Sequence, residues 1–165
     1  MVKKRAFIIG SIVALILMAT VLFYPTEKRK IKRVLKRGCE WVEKKGDENP
    51  LVFAVKSKNG EKIFSKIVFL KYDKYNFKRD VSIEEIERGY ISLMQSVKSL
   101  NVKITDFNIE IDDNISATCD ATVLIDTSGE IYSDLKNVSE VLFTLKKEDK
   151  GWRISGIEVV EVLQK

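Results

Sequence analysis

From Ser82 onward the chain switches between two hydrophobic periods. Ile83, Ile86, Tyr90, Leu93, Met94, Val97 and Leu100 recur at spacings of three and four, which predicts an amphipathic helix over 82–100. Ser82 and Glu85 stand three apart at its start and form a capping box. The period then drops to two. Val102 and Ile104, followed out of phase by Phe107, Ile109 and Ile111, predict a strand with a bulge near Asp106. Ile115, Ala117, Cys119, Ala121, Val123 and Ile125 alternate with polar residues, as a strand with one buried face should. Asp112-Asp113-Asn114 predicts the turn between those two strands. Val141, Phe143 and Leu145 mark a third strand, and 151–163 a fourth, joined by a turn at 148–151, with Gly156 expected at a bend.

The first half is less uniform. Ile31, Val34, Leu35, Gly38 and Val42 form one apolar stripe, predicting a helix from Thr26 to about Lys45 with Cys39 and Trp41 beside the stripe. Gly46 suits its C-cap. Residues 48–80 support two readings: strands at 51–55 and 67–72 around a turn at Asn59-Gly60, or short helices over the same residues.

Residues 6–24 run for 19 positions without a charge. As a helix that run is about 28 Å long, matched to the hydrocarbon core of a bilayer. Phe23 and Tyr24 close it at an interface, Pro25 stops it, and no small-residue cleavage site follows. An uncleaved single-span anchor is the expectation, dividing the chain into a tail and transmembrane anchor at 1–25 and a folded domain at 26–165. Two charge arguments on orientation oppose each other. Three cations precede the span and seven follow it within 26–37, which favours a cytoplasmic domain. The short MVKKR tail is itself a cytoplasmic leader of a signal anchor, which favours an extracytoplasmic one. The extracytoplasmic side is the expectation carried forward.

Composition changes the picture in two places. The chain has no His, so Ser-His-Asp and Cys-His machinery and His-ligated zinc are excluded. The net charge of +5 belongs to the blocks flanking the apolar run, because everything from Gly38 onward holds 19 Lys+Arg against 23 Asp+Glu, a net of −4. No basic stripe lies along the body to follow a nucleic-acid backbone, and no nucleic-acid partner is expected. Lys28, Arg29, Lys32, Arg33, Lys36 and Arg37 cover the polar side of the first helix. Beside a span they either meet anionic lipid headgroups or form a solvated face.

Helix, ambiguous segment, capped helix and four long antiparallel strands, closing in LKKEDKGWRISGIEVVEV, resemble the nuclear transport factor 2-like superfamily, the SnoaL-like or cystatin-like α+β cone, in a membrane-anchored bacterial form. The resemblance covers about 26–165. It implies an α+β fold in which a curved antiparallel sheet wraps around helices and leaves a cavity at the open end of a cone. Trp41, Tyr90, Met94, Phe143 and Trp152 are then the candidates to line a pocket. Enzymes of the superfamily include isomerases and dehydratases; many relatives are non-catalytic, and some bacterial members are single-span envelope proteins.

An isomerase-like site needs a carboxylate base and hydrogen-bond donors inside an apolar pocket. Tyr90, Asp120 and Asp126 are the nearest candidates, but the alternation turns both acids away from the apolar face. Asp112, Asp113, Asn114 and Asp126 lack calcium-loop spacing. No catalytic residue, metal or cofactor is therefore assigned. Cys39 and Cys119 lie on apolar faces of elements that should pack together. They form either a disulfide closing a loop of about 80 residues, worth about 4 kcal/mol, or two buried thiols. The functional expectation is a non-catalytic binding or assembly module of the cell envelope, partnered by membrane lipid through its anchor and by another protein or a second copy. The alternative is a cone pocket that binds or transforms a small apolar molecule.

Overall fold

Three helices carry side chains that cap their first turns, and those caps fix where the helices begin. A computed structural model describes residues 26–46, 49–129, 135–149 and 151–163. The anchor expected at 6–24 lies outside the described residues, and no helix among them is long and apolar enough to cross a membrane. Helix α1 (Glu27–Val42) opens on Thr26, whose side chain accepts the Arg29 backbone N–H at 3.4 Å. It buries Ile31, Val34, Leu35 and Trp41. Trp41, expected beside the stripe, belongs to the core. The helix ends three residues earlier than expected because Lys44 exchanges two backbone hydrogen bonds with Leu100, at 2.9 and 3.0 Å. Gly46 does adopt the left-handed conformation, with φ +59, but beyond the helix rather than as its cap.

The segment at 48–80 contains elements of both readings. Helix α2 (Pro50–Ser57) replaces the strand expected at 51–55. Asn49 caps it by accepting the Leu51 N–H at 2.9 Å, and Pro50 sits at the first helical position, where its missing N–H costs nothing. A 3-10 turn over Lys58–Lys62 leads into strand β1 (Phe64–Tyr72), which contains the strand expected at 67–72. Strand β2 (Phe77–Ser82) folds back on β1 and ends at the N-cap of helix α3 (Ile83–Ser96). The capping box is formed: Glu85 N–H donates to Ser82 Oγ at 3.3 Å, and Ser82 N–H donates to Glu85 Oε2 at 3.1 Å. The helix stops at Ser96 rather than 100. Val97 turns into the extended conformation and Leu100 enters strand β3 (Ser99–Asp113), and both stay buried.

Strands β3, β4 (Ser116–Ser128), β5 (Leu135–Glu148) and β6 (Gly151–Leu163) form an antiparallel meander. The bulge falls where the phase slip predicted it. Asp106 has φ +53, and the register shifts between Thr105 and Asn108, so Ile104 and Ile109 both face the core. Ile115 was expected to open the alternation of β4; it sits in the turn instead, 63% exposed, and the buried series starts at Ala117. The β5–β6 turn needs a glycine, since Gly151 has φ +117. At Gly156 an added Cβ would lie 3.1 Å from Thr144 Cβ, so a side chain there would require Thr144 to give way by a few tenths of an ångström.

The sheet order is β2-β1-β6-β5-β4-β3. It is mixed rather than wholly antiparallel, because β1 pairs with β6 in parallel. The cause is topological. Helix α3 carries the chain from β2 to the far edge, and the meander returns until its last strand reaches β1 running in the same direction. The helices cover one face, where Ile31, Leu35, Val68, Met94, Cys119 and Leu145 are the largest fully buried side chains.

Glu27 fastens the start of α1 to the last hairpin. Its Oε1 accepts from Lys30 at 2.8 Å, its Oε2 accepts from Trp152 Nε1 at 2.5 Å, and Lys147 Nζ lies 3.4 Å from the same oxygen. The Lys30 and Trp152 hydrogen bonds, aided by Lys147, hold its carboxyl down at about 2, against 4.5 for a free one. A depressed carboxylate stabilises the fold above its unfolded value and loses that contribution as the pH falls towards the folded one. The Glu27→Gln variant should therefore melt several degrees below the parent at pH 7. The difference should shrink steadily between pH 4.5 and about 2, as measured by circular dichroism melts across that range.

Candidate functional site

The interior is where the fold class would place a pocket, and here it is packed. Trp41 comes from the end of α1, and its ring stacks on Tyr90 of α3 with centroids 4.3 Å apart. Phe64 of β1 meets the same indole edge-on at 5.5 Å. Trp41 Nε1 donates to the Lys56 carbonyl at 2.7 Å, which ties α2 across the end of the cluster. Met94 is fully buried, and Phe143 is 8% exposed on β5. Trp152 is buried at the other end of α1, beside Glu27. The five candidate pocket residues therefore divide. Trp41 and Tyr90 form one aromatic stack, Trp152 belongs to the Glu27 clamp, and none of the five presents an open wall to solvent.

The acids weighed for catalysis are on the outside. Asp120 and Asp126 are exposed on the face of β4 away from the helices, as the alternation implied. Among the described residues no group of three or more Cys, Asp or Glu is arranged to hold a metal ion. Cys39, half-buried, and Cys119, buried, are free thiols. Burial, then the charges of Glu43 and Glu40, push the Cys39 thiol up to about 11. Burial and Asp120 push Cys119 up to about 11 as well, with Lys32 acting in the opposite direction.

Helix α1 sorts its residues cleanly. Lys28, Arg29, Lys32, Arg33, Lys36 and Arg37 are all exposed, opposite the buried stripe. Lys32 also lies over the Phe107 ring at 4.4 Å, next to the β3 bulge. This is a continuous cationic face on a rigid element, and its first residues directly follow the apolar run of the sequence.

A further feature was invisible to periodicity. Strands β1 and β6 pair at Phe64–Ile154 and again at Phe69–Gly156, so residues 65–68 of β1 stand against Ser155 alone. The sheet opens there into two adjoining clefts of about 620 and 630 Å³. Arg153, only 12% exposed, crosses the opening: its guanidinium pairs with Glu148 at 3.1 Å and donates to the Glu61 carbonyl. The sequence signal for such a bulge would have been the run Ser65-Lys66 in the first strand, which breaks alternation without a glycine or proline to draw attention to it.

By sequence, no family model and no curated protein matches the chain. The fold has close counterparts among solved structures. A protein from Kribbella flavida superposes with a TM-score of 0.65 at 11% identity, over 84% of this chain and 93% of that one. A nuclear transport factor 2-like superfamily protein from Salmonella enterica gives 0.64 at 10% identity, over 84% and 93%. A protein from Novosphingobium aromaticivorans, provisionally described as a scytalone dehydratase, gives 0.63 at 12% identity, over 84% and 87%. The chain has the nuclear transport factor 2-like fold. At these identities the likeness is one of architecture, and architecture alone does not carry chemistry.

Two outcomes follow from the packed interior. Trp41→Ala should cost about 3–5 kcal/mol in urea unfolding, since it removes a buried aromatic from a stack of three, whereas Asp120→Asn on the outer face should stay within about 0.5 kcal/mol. In the native protein at pH 8, both thiols should resist alkylation and react only on unfolding, because at a value near 11 only about a thousandth of each is thiolate; intact-mass spectrometry with and without denaturant reads this directly.

Proposed function

We propose that the chain is a single-span membrane protein whose nuclear transport factor 2-like domain is a non-catalytic binding or assembly module of the cell envelope. The observation that carries this reading is helix α1, which exposes all six cations of its polar side immediately after the uncharged run at 6–24. A cationic face next to a bilayer gains about 1 kcal/mol per residue near anionic headgroups, enough to hold a tethered domain against the surface. The packed interior supports the non-catalytic part. A carboxylate suited to proton abstraction from an apolar substrate sits in a water-excluding pocket, whereas Asp120 and Asp126 are exposed and Asp120 borders an outer groove of about 240 Å³ beside Asp106 and Glu140.

A second reading, a pocket that binds or transforms a small apolar molecule, is favoured by one finding, the provisional description of the Novosphingobium protein as a scytalone dehydratase. It would rely on the hydroxyl of Tyr90 in the aromatic stack, since the other polar group there, the Trp41 indole N–H, is bonded to the Lys56 carbonyl. For it to hold, the stack of Trp41 on Tyr90 must open to admit a ligand, and the Tyr90→Phe variant must then lose ligand binding while keeping its fold.

The proposal is tested on the full chain in its own membrane. After alkaline carbonate extraction the protein should remain in the membrane pellet; release into the supernatant would reject the anchor. With Cys39 and Cys119 replaced, the Ile115→Cys variant, at a position 63% exposed in the β3–β4 turn, should react with an impermeant maleimide in intact cells. Protection until the membrane is opened would put the domain on the cytoplasmic side. Crosslinking in the same membranes should give discrete adducts of a partner or a second copy, and a strictly monomeric pattern would reject the assembly role.

A further inference from the structure

The opening between β1 and β6 contains a polar group that the fold leaves unused. Ser65 is 7% exposed, and its hydroxyl has no hydrogen-bond partner among the described residues. A buried hydroxyl without a partner costs stability, so Ser65 has hydrogen-bonding capacity left for a water or a ligand. The neighbouring hydroxyl differs, since Ser155 Oγ donates to the Thr144 carbonyl at 3.3 Å. Ser65 also forms part of the wall of the 630 Å³ cleft at the bulge, a space of ligand size, with its hydroxyl itself buried.

The rest of that wall specifies the chemistry. Lys66 and Lys146 supply two ammonium groups, and Asp80 and Asp149 supply two carboxylates. None of the four makes an ion pair with another described residue. The third carboxylate of the wall, Glu148, is already neutralised by Arg153. Ile67, 62% exposed, and the half-buried Phe69 add an apolar strip between the charges. A purely anionic ligand would meet Asp80 and Asp149, and a purely cationic one would meet Lys66 and Lys146. A ligand with both charges and an apolar group satisfies all of them.

We propose that this cleft binds a zwitterionic, amino-acid-like ligand, a short peptide or free amino acid with an apolar side chain. Its carboxylate pairs with Lys66 and Lys146 and accepts the Ser65 hydroxyl. Its ammonium faces Asp80 and Asp149, and its side chain lies on Ile67 and Phe69. Ser65 is then a residue whose hydrogen bond is completed only on binding. The site deepens the reading of the domain as a binding module by naming a ligand class, and it does not depend on the membrane anchor.

The experiment is calorimetric titration of the full chain in detergent micelles with leucyl-alanine, with its N-acetyl form and its C-terminal amide as controls. The free dipeptide should bind saturably, and blocking either end should weaken binding about tenfold or more, the loss expected for one charge-assisted contact. Lys146→Gln and Asp80→Asn, both at exposed positions, should each weaken the free dipeptide. Each should also erase the discrimination against the blocked end that its own charge reads. Ser65→Ala should weaken binding while its melting temperature equals or exceeds that of the parent. Absence of saturable binding, equal binding of the blocked forms, or a lower melting temperature for Ser65→Ala would overturn the proposal. The last result would mean that the hydroxyl is bonded within the fold. Carbonate extraction, which tests the anchor, is unaffected by any of these outcomes.

Discussion

A helix laid across a sheet can slide or rotate unless both of its ends are held, and in this domain everything on the covered face depends on α1 being held. At its start, Glu27 accepts from Lys30 and from the Trp152 indole, with Lys147 alongside, so the first turn is tied to the last hairpin of the chain. At its end, the Trp41 ring is stacked on Tyr90, and Lys44 pairs with Leu100 two residues beyond the helix. Between these points Ile31 and Leu35 are sealed against the sheet, at 0% and 2% exposure. Both fixings join segments far apart in the sequence. Closing such long loops costs chain entropy, and the contacts hold the layers together once formed.

That arrangement also limits what the interior can do. An aromatic stack that locks a helix end cannot at the same time serve as the yielding wall of a ligand cavity, because opening the pocket would release the helix. Trp41 and Tyr90 are used here for packing, and the cationic side of α1 and the opening in the sheet lie outside that cluster. The six cations of α1 are exposed, so charge there can change at little cost in stability.

Much of the architecture could be read from residue order. The capping box at Ser82, the bulge at Asp106, the turn at Asp113 and the buried series on β4 and β5 are all local patterns with a single physical interpretation. Where a reading stayed open or missed, either a local cap or a distant partner decided the outcome. The run 51–55 is apolar enough for a strand, yet Asn49 and Pro50 start a helix there. Val97 and Leu100 keep helical spacing, yet the pairing of β3 with β4 pulls them into extended chain. The parallel contact of β1 with β6 joins the first strand to the last, and no local pattern could announce it. Large apolar residues on facing elements look the same in sequence whether they fill a cavity or line one.

The opening at 65–68 shows how a fold can carry a site without a cavity in its core. A parallel pair formed at the two ends of a long connection need not match residue for residue, and here β1 has four residues where β6 has one. The mismatch forces backbone and side chains apart at the edge of an otherwise closed sheet. Such an opening could have been filled by apolar side chains at a gain in stability. Instead Arg153 spans it, bound to Glu148 and to the Glu61 carbonyl, and Ser65 brings an unpaired hydroxyl to its wall. A polar lining maintained where an apolar one would be more stable is the pattern expected when recognition, rather than folding, decides the residues at a position.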